Sequence, residues 1–128
     1  MNLFTKAQFE QLLANGRNRD QDHPPVVKLF TPDAGCTWLL SEIDPEEPDI
    51  AFGLCDLGLG CPELGSVSLA EIRSLRGKLG LPVERDLSFN AGHPMSVYAE
   101  AASQTERITE NQTDLLQAAA ALAARRRA

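Results

Sequence analysis

The sequence predicts an α+β fold. We expect an antiparallel four- to five-stranded meander sheet packed with two or three short helices, followed by a helical C-terminal extension. Strand-like apolar segments succeed one another between residues 26 and 67. Their connections are short and rich in turn residues, which favours antiparallel neighbours because a parallel crossover needs about a dozen residues or more. Helix-capping patterns stand before this region, at Thr5, and after it, at Ser68.

The first predicted element is a helix over residues 5–15. Thr5 as N-cap and Gln8 three residues later have the spacing of a capping box, in which each side chain satisfies a free backbone N–H at the helix start. Asn15 and Gly16 predict a left-handed end. The apolar positions that we expect to dock on the sheet are Phe9, Leu12 and Leu13.

Five segments are predicted as strands. Turn chemistry at residues 32–35 and an acidic, proline-containing loop at residues 44–49 separate the first three. The last segment alternates in polarity but follows Pro82, which favours an edge position. The predicted strands cover residues 26–30, 37–43, 50–55, 64–67 and 83–89.

Two more short helices are predicted around the last strand. Ser68 begins one of them, with Glu71 at the capping-box position and Gly77 at the end. Pro94 suits the first position of the other, which we expect to run through residue 102. The inward-facing positions of the helix after Ser68 are Leu69, Ile72 and Leu75.

The composition predicts one α+β domain over residues 1–102 and an alanine-rich helical tail over residues 103–128. Ser103 and Glu106 again have capping-box spacing, which predicts that the tail helix begins there. Leu115 and its neighbour seven residues on, Leu122, give this helix a thin apolar stripe. Two interpretations stay open: the helix docks on a partner, a second copy or the body, or the tail is partly disordered.

The bulk composition bounds the class of protein. Of 128 residues, 43% are apolar and 23% charged, as in an ordinary globular domain. The net charge is -6, and residues 1–100 hold 15 acidic against 8 basic side chains, so direct DNA binding is not expected. No apolar run reaches the roughly 20 residues of a membrane span. Residues 1–6 lack a signal pattern, and three cysteines are an odd number, so we expect a cytoplasmic protein with reduced thiols.

Metal binding and cysteine chemistry have weak candidates. Cys36, Cys55 and Cys61 with His93, or with His23, could supply a Cys3His zinc site, but no two of these cysteines have the close spacing of zinc ligands. A cysteine nucleophile would need a histidine and an acid in contact with it, and no local motif supports one. We therefore expect no cofactor and assign no catalytic residue.

Two other enzyme motifs are incomplete. Asp33 follows a proline as in metal-dependent nucleases, but no Glu-x-Lys occurs in the chain. The glycines at 58 and 60 lack the third glycine and the following helix of a dinucleotide-binding loop. These absences favour a protein that is not an enzyme.

A combination of short motifs runs through the middle of the chain. It comprises KLFTPD at residues 28–33, TW at 37–38, FGL at 52–54, SL at 68–69, RG at 76–77 and GLPVERDL at 80–87. Together these motifs resemble a family of small bacterial proteins known as domain of unknown function 2958. The resemblance covers residues 27–89, about half the chain, and leaves out the N-terminal helix, the tail and any shared role for the cysteines. It implies a single small domain, usually found on plasmids, phages and integrating elements, with no established activity.

Several charged and apolar residues are candidates for an interaction surface. Arg85 falls on the face of apolar neighbours, so we expect it to meet a carboxylate, Glu71 or Asp56. Trp38 is either a core anchor or an exposed hot spot. The candidate surface comprises Trp38, Asp44, Glu46, Glu47, Asp49, Arg76, Glu84, Arg85, Asp86, Leu115 and Leu122.

The sequence leaves three functions open. The first is a non-enzymatic accessory protein of mobile genetic elements, acting through protein–protein contacts or self-association through residues 104–127. The second is an acidic DNA mimic that inhibits a host DNA-binding or defence protein, and the third, least favoured, is a cysteine- or metal-dependent enzyme. The carboxylates that would form the DNA-like row are those of the 44–49 loop with Asp33, Glu42, Asp56 and Glu63.

Overall fold

The structure, a computed structural model, describes residues 2–127. One five-stranded sheet in the order β4-β3-β2-β1-β5 carries helices on both faces, which confirms the α+β fold. Within residues 2–127, no helix combines the length and the apolar character that crossing a bilayer requires. The helices are α1 (Lys6–Gly16), α2 (Leu69–Ser74), α3 (Met95–Thr105) and α4 (Gln112–Arg127), and the strands are β1 (Val27–Phe30), β2 (Thr37–Ile43), β3 (Ile50–Asp56), β4 (Glu63–Ser68) and β5 (Glu84–Arg85).

The first four strands form the predicted meander, and β5 crosses to the far edge beside β1. Only two residues of β5 pair with β1, so the strand predicted over residues 83–89 is too long. Asp86 still donates its N–H to the Lys28 carbonyl at 3.0 Å, but its side chain accepts from Ser88 N at 2.8 Å. This turn takes the chain away from the sheet edge.

Side-chain alternation divides the core into two clusters, one on each face of the sheet. Trp38 and Leu40 point to the face covered by α1 and α2, whereas their neighbour Leu39 points to the face covered by α3 and α4. Both faces are therefore apolar along the central strand β2, whose residues 38–43 are all buried.

Helix α1 begins as predicted. The Thr5 hydroxyl accepts from Gln8 N at 3.1 Å, and the Gln8 side chain accepts from Thr5 N at 2.9 Å. Its end differs from the prediction, because Gly16 is the last helical residue and the next residue is right-handed. A Cβ on Gly16 would come closer than 3.0 Å to the Ile43 carbonyl oxygen, so this glycine allows the helix to approach β2.

Helix α2 is shorter than predicted. The Ser68 hydroxyl accepts from Glu71 N at 3.3 Å, as expected of the N-cap, but the helix ends at Ser74. Leu75 is extended and 40% exposed, so the prediction that it faces inward is wrong. Gly77 does not end the helix, because its N–H bonds to the Leu81 carbonyl at 3.1 Å in the following loop.

Helix α3 is longer than predicted and starts one residue later. Pro94 is its N-cap and supplies no side-chain bond; instead, the carboxylate of Asp22 accepts from both the N–H and the hydroxyl of Ser96. Ser103 lies inside this helix, so the capping box predicted at Ser103 and Glu106 is wrong. Glu106, expected within the tail helix, ends α3 in a left-handed conformation at φ 63°.

The helix of the tail, α4, begins at Gln112, with the Asn111 side chain accepting from Asp114 N at 3.2 Å. Leu115 and Ala118 are buried in the same cluster as α3, and Leu122 packs against that cluster. Of the interpretations left open by the sequence, the structure has this helix docked on the body.

Candidate interaction surface

The residues considered for metal binding lie apart. The Cys36 thiol is 3.9 Å from the Leu57 carbonyl oxygen, Cys55 packs against the α1 and α2 side of the core, and Cys61 is exposed. His93 lies edge-on to the Tyr98 ring, with centroids 6.3 Å apart. Across residues 2–127 no three His, Cys, Asp or Glu side chains are grouped so that they could hold a metal ion.

The Cys55 thiol is poorly suited to nucleophilic chemistry. Burial raises its pKa above the ordinary value of 9.0. Because the thiolate is the reactive form, the raised pKa leaves little of it near neutral pH.

Two of the apolar candidates for the interaction surface are buried in the fold. Trp38 is 3% exposed and belongs to the cluster under α1 and α2, which is the core-anchor alternative. Leu115 is 2% exposed against α3. Leu122 is half-buried, so neither end of the predicted α4 stripe stands free in the monomer.

The acidic loop at residues 44–49 uses two of its carboxylates to brace the backbone. Asp44 accepts from Glu46 N at 2.9 Å. Asp49 accepts from the Ser68 hydroxyl at 2.7 Å and from Ala70 N at 2.8 Å, and these bonds lower the pKa of its carboxyl below the usual 3.8. Asp49 therefore acts as a second cap for α2, while the loop's remaining acids, Glu46 and Glu47, are exposed.

The acids expected to extend this loop into a single row lie in different places. Asp33 and Asp56 sit at the opposite end of the sheet, where Asp56 accepts from Gly58 N at 2.8 Å and from Ile108 N at 3.0 Å. Glu63 begins β4 and is exposed. Glu42 is 8% exposed and points into the molecule, and burial raises the pKa of its carboxyl above 4.5 despite the fields of His23 and Arg19.

A β-bulge in β2 changes the direction in which the Glu42 side chain points. The pairing of β2 with β3 shifts between Leu40 and Glu42, and the carbonyl of the extra residue, Ser41, accepts from the Asn15 side chain at 2.9 Å. Two cavities are lined by Glu42, one of about 50 Å³ and one of about 160 Å³. Both volumes are below the roughly 300 Å³ at which small-molecule sites begin.

Arg85 meets a backbone carbonyl where a carboxylate was expected. Its guanidinium donates to the Asn2 carbonyl at 3.1 Å, so the prediction of a pair with Glu71 or Asp56 is wrong. Arg85 thereby fastens the segment before α1, whose Leu3 is buried, to the edge strand β5.

The other charged candidates near β5 are also engaged. Asp86 lies 3.5 Å from the Lys28 ammonium, which makes a second, 2.5 Å ion pair with Glu110. Burial opposes the charge of Lys28, but the hydrogen bond and charge of Glu110, helped by Asp86, outweigh it and raise the pKa of Lys28 above 10.5. The Arg76 guanidinium donates to nearby carbonyls of its own segment, and Glu84 is half-buried in β5.

Asp33 organises the loop between α2 and β5. Its Oδ2 accepts from Leu79 N at 2.7 Å and from Leu81 N at 3.2 Å. Gly80 has φ +78°, a left-handed conformation that glycine adopts without steric cost, and its N–H bonds to the Gly77 carbonyl at 3.0 Å. The loop is therefore held by its own backbone hydrogen bonds and by two N–H groups that donate to one aspartate of the β1–β2 turn.

The same turn touches a second loop. The position of a Cβ on Gly35 is 3.7 Å from the Cα of Gly58, in the connection between β3 and β4. The Cys36 thiol reaches the carbonyl of the preceding residue, Leu57. The β1–β2 turn thus stands between two loops at one end of the sheet.

Four leucines project from these two loops, and we call them the leucine end. Their exposed fractions are 56% for Leu57, 79% for Leu59, 80% for Leu79 and 42% for Leu81. In the described part of the chain, every exposed large apolar side chain is a leucine, and half of those eight belong to the leucine end. Single exposed leucines are ordinary, whereas exposed apolar side chains that together form a contiguous patch often mark a protein-binding surface.

The sequence interpretation did not include any of these four leucines. They lie in two loops about 20 residues apart, and only long-range contacts with the β1–β2 turn bring those loops to the same end of the sheet. The sequence did contain one feature that could have identified them. Both loops, LGLG (57–60) and LGLP (79–82), carry leucines next to glycines, at positions where loops usually have polar residues.

The fold and its surface define a small α+β protein with braced, leucine-bearing loops and, in the part that the structure describes, no group of side chains that could hold a metal ion. A family model described as "Protein of unknown function (DUF2958)" matches residues 3–109, and the chain belongs to this family. Neither a curated protein nor a solved structure matches the chain. The match includes α1, contrary to the expectation that the N-terminal helix lies outside it, and it ends before α4.

Proposed function

We propose that the protein is a non-enzymatic accessory protein that binds another protein through the leucine end. The observation that carries this proposal is the exposure of Leu59 and Leu79, each about four-fifths exposed on a loop tied to the β1–β2 turn. An apolar side chain on a constrained loop loses little conformational freedom when a partner covers it. Burying the leucine end would remove apolar surface from water without reorganising the domain.

The biological setting belongs to the same proposal. Association with bacterial mobile genetic elements follows from the motif resemblance, and a cytoplasmic location is expected from the odd number of cysteines. An accessory protein of such elements would act on a host or element protein. The engagement of Leu115 with α3 moves the expected contact surface away from residues 104–127 and towards the loops.

Charge mimicry of DNA stays as a second candidate because Glu46 and Glu47 are exposed together at the tip of the acidic loop. It has less support, since the other carboxylates of the expected row lie at both ends of the sheet and several of them bond to backbone N–H groups. Glu46→Gln with Glu47→Gln should abolish binding by mimicry. Salt should weaken such binding steeply, because exposed charges are screened over about 10 Å at 0.1 M.

The test of the leading proposal compares two double variants of the full-length, tagged protein purified from its own host. Leu59→Ser with Leu79→Ser removes two members of the leucine end. Leu87→Ser with Leu116→Ser is the matched control, because these leucines are 76% and 56% exposed elsewhere on the surface. We expect the first pair to reduce the co-purifying partner at least about tenfold, as the loss of two buried leucines would.

The control pair should retain the partner at the level of the unchanged protein. Binding of the purified partner to each variant, measured by calorimetry, checks that the loss is direct, and circular dichroism checks that both variants fold. Equal retention of the partner by the two double variants would refute the leucine end as the binding surface.

A further inference from the structure

The sheet has one blunted edge and one open edge. At the blunted edge, β5 pairs over only two residues. At the other edge, β4 is six residues long and pairs on its inner side only, with β3. It carries no lysine, proline or bulge of the kind that discourages pairing at an edge; its one charge is Glu63, at the start.

The hydrogen-bond phase of β4 identifies the backbone groups that face outward. Leu69 N bonds to the Asp49 carbonyl at 2.8 Å, on the same register that pairs Ile50 with Ser68. Antiparallel pairs alternate between bonded and non-bonded, so Glu63, Gly65 and Val67 bond to β3. Leu64 and Ser66 therefore direct their N–H and C=O groups to the open edge, and within residues 2–127 no bond from elsewhere reaches these groups.

Gly65 has no evident role within the monomer. Its φ is not positive, and a Cβ at this position would meet nothing within 4 Å. Glycine weakens a strand, and inside a strand it often marks a place where another backbone comes close. The open space lies on a face of the sheet, beside the middle of the open edge.

We propose that β4 pairs antiparallel with β4 of a second copy of this chain, about a two-fold axis at Gly65. In this register Leu64 faces Ser66 of the second copy, and the two residues exchange both backbone bonds on each side of the axis. Gly65 faces Gly65 in a non-bonded pair, where the Cα atoms approach to about 4.5 Å. The two five-stranded sheets then form one continuous sheet.

The sequence of β4 favours a second copy over a foreign strand. The self-pairing register sets Glu63 opposite Val67 of the second copy, so the two carboxylates do not face each other. It also brings the two Leu64 side chains, each 47% exposed, into diagonal contact across the axis. The strand is thus complementary to itself in charge and in apolar surface.

The interface is small. A contact between two six-residue edges falls below the roughly 1,200 Å² of stable complexes, so we expect a dimer that dissociates on dilution. This inference does not depend on the proposed function, because none of the four residues of the leucine end takes part in the β4 pairing.

Sedimentation velocity over a concentration series tests the dimer. Leu64→Lys places two like charges in diagonal contact at the axis and should weaken self-association at least about tenfold. Leu116→Lys is the matched control, because this leucine is exposed on α4, and it should leave the dissociation constant unchanged. A chain that is monomeric at every concentration, or a dimer that Leu64→Lys leaves intact, overturns the proposal.

Crosslinking tests the register. In a Cys61→Ser background, Gly65→Cys should form a dimer disulfide in oxidised glutathione, since the axis brings the Cα atoms within the 4.4–6.8 Å or so of a disulfide. Glu63→Cys, at the same edge, should not crosslink, because the two copies of residue 63 are roughly 14 Å apart in this register. Crosslinking of both variants alike overturns the register. Amide exchange at Leu64 and Ser66 gives a further check. If it slows only when a foreign peptide is added, while the protein stays monomeric, the edge binds another partner and the proposed β4 pairing is overturned.

Discussion

Gly77 lies so close to the carboxylate of Asp33 that no side chain fits between them. A Cβ at position 77 would come closer than 3.0 Å to both carboxylate oxygens. The carboxylate could move aside only by giving up its bonds to Leu79 N and Leu81 N. Its Oδ1 is buried without a partner in the described part of the chain, so Oδ2 alone makes the bonds that hold the loop.

Gly77→Ala should therefore destabilise the protein. We expect the free energy of unfolding to fall by about 1–3 kcal/mol, the usual cost of overpacking a tight site. Urea denaturation monitored by circular dichroism measures the change. Gly92→Ala is the control, since Gly92 is exposed and a Cβ there meets nothing within 4 Å; an equal effect of the two substitutions would contradict the role given to Asp33.

A double-mutant cycle tests whether Asp33 and Gly77 act as one unit. Asp33→Ala leaves two loop N–H groups without their acceptor, at a cost of about 1–3 kcal/mol. Once that bond set is gone, Gly77→Ala has no carboxylate to displace, so the double variant should be less destabilised than the sum of the single variants. Additive free energies of unfolding would show that the two residues are independent.

Gly16→Ala should reverse the usual sign of a helix substitution. Alanine in place of glycine ordinarily stabilises a helix by about 1 kcal/mol. Here the Cβ would overlap the Ile43 carbonyl, a backbone group of the central strand that cannot turn aside. We expect a loss of about 1–3 kcal/mol in the free energy of unfolding. Ala7→Gly, at an exposed position of the same helix, should show the ordinary propensity cost; a stabilised Gly16→Ala variant would refute the close approach.

Gly16 also illustrates what the sequence could not reveal. Local signals identified the capped starts at Thr5 and Ser68 and most strand positions, because they depend on neighbours in the chain. The spacing of Ser103 and Glu106 imitates a cap, but burial of Ala101 and Ala102 continues α3 through Ser103. Tertiary packing overrides the local pattern there.

The candidate site was less predictable than the fold for the same reason. Asp33 and Leu79 are 46 residues apart, and nothing in either segment names the other as its partner. Asp33, Asp49 and Asp56 looked like surface charge in the sequence, whereas each accepts backbone N–H bonds in the structure. Whether an acid is left to solvent therefore depends on whether a backbone N–H from a distant segment donates to it.

Glu42 should make stability fall as the pH rises. Burial raises the pKa of its carboxyl, so the folded protein keeps this proton at a pH where the unfolded chain, near its ordinary 4.5, has lost it. Its contribution is therefore most favourable below the unfolded pKa and declines as the pH rises through the folded pKa. Glu42→Gln should remove that decline and gain stability relative to the unchanged protein as the pH is raised from below to above the ordinary value of 4.5.

Urea denaturation across that pH range checks the prediction. The exposed Glu46→Gln is the control for loss of one carboxylate and should follow the unchanged protein at every pH. A Glu42→Gln variant that is less stable at the upper end of the range would mean that the Arg19 guanidinium, 3.9 Å away, more than compensates burial.

Leu115 and Leu116 provide a matched test of whether α4 belongs to the folded core. They are neighbours in one helix, yet Leu115 is 2% exposed against α3 and Leu116 is 56% exposed. Leu115→Ala should lower the free energy of unfolding by about 2–5 kcal/mol, as for other buried leucines. Leu116→Ala should change it by less than about 0.5 kcal/mol, as at other surface sites. Since both substitutions have the same small effect on helix propensity, the difference between them measures docking alone, and equal stabilities would mean that α4 does not stabilise the body in solution.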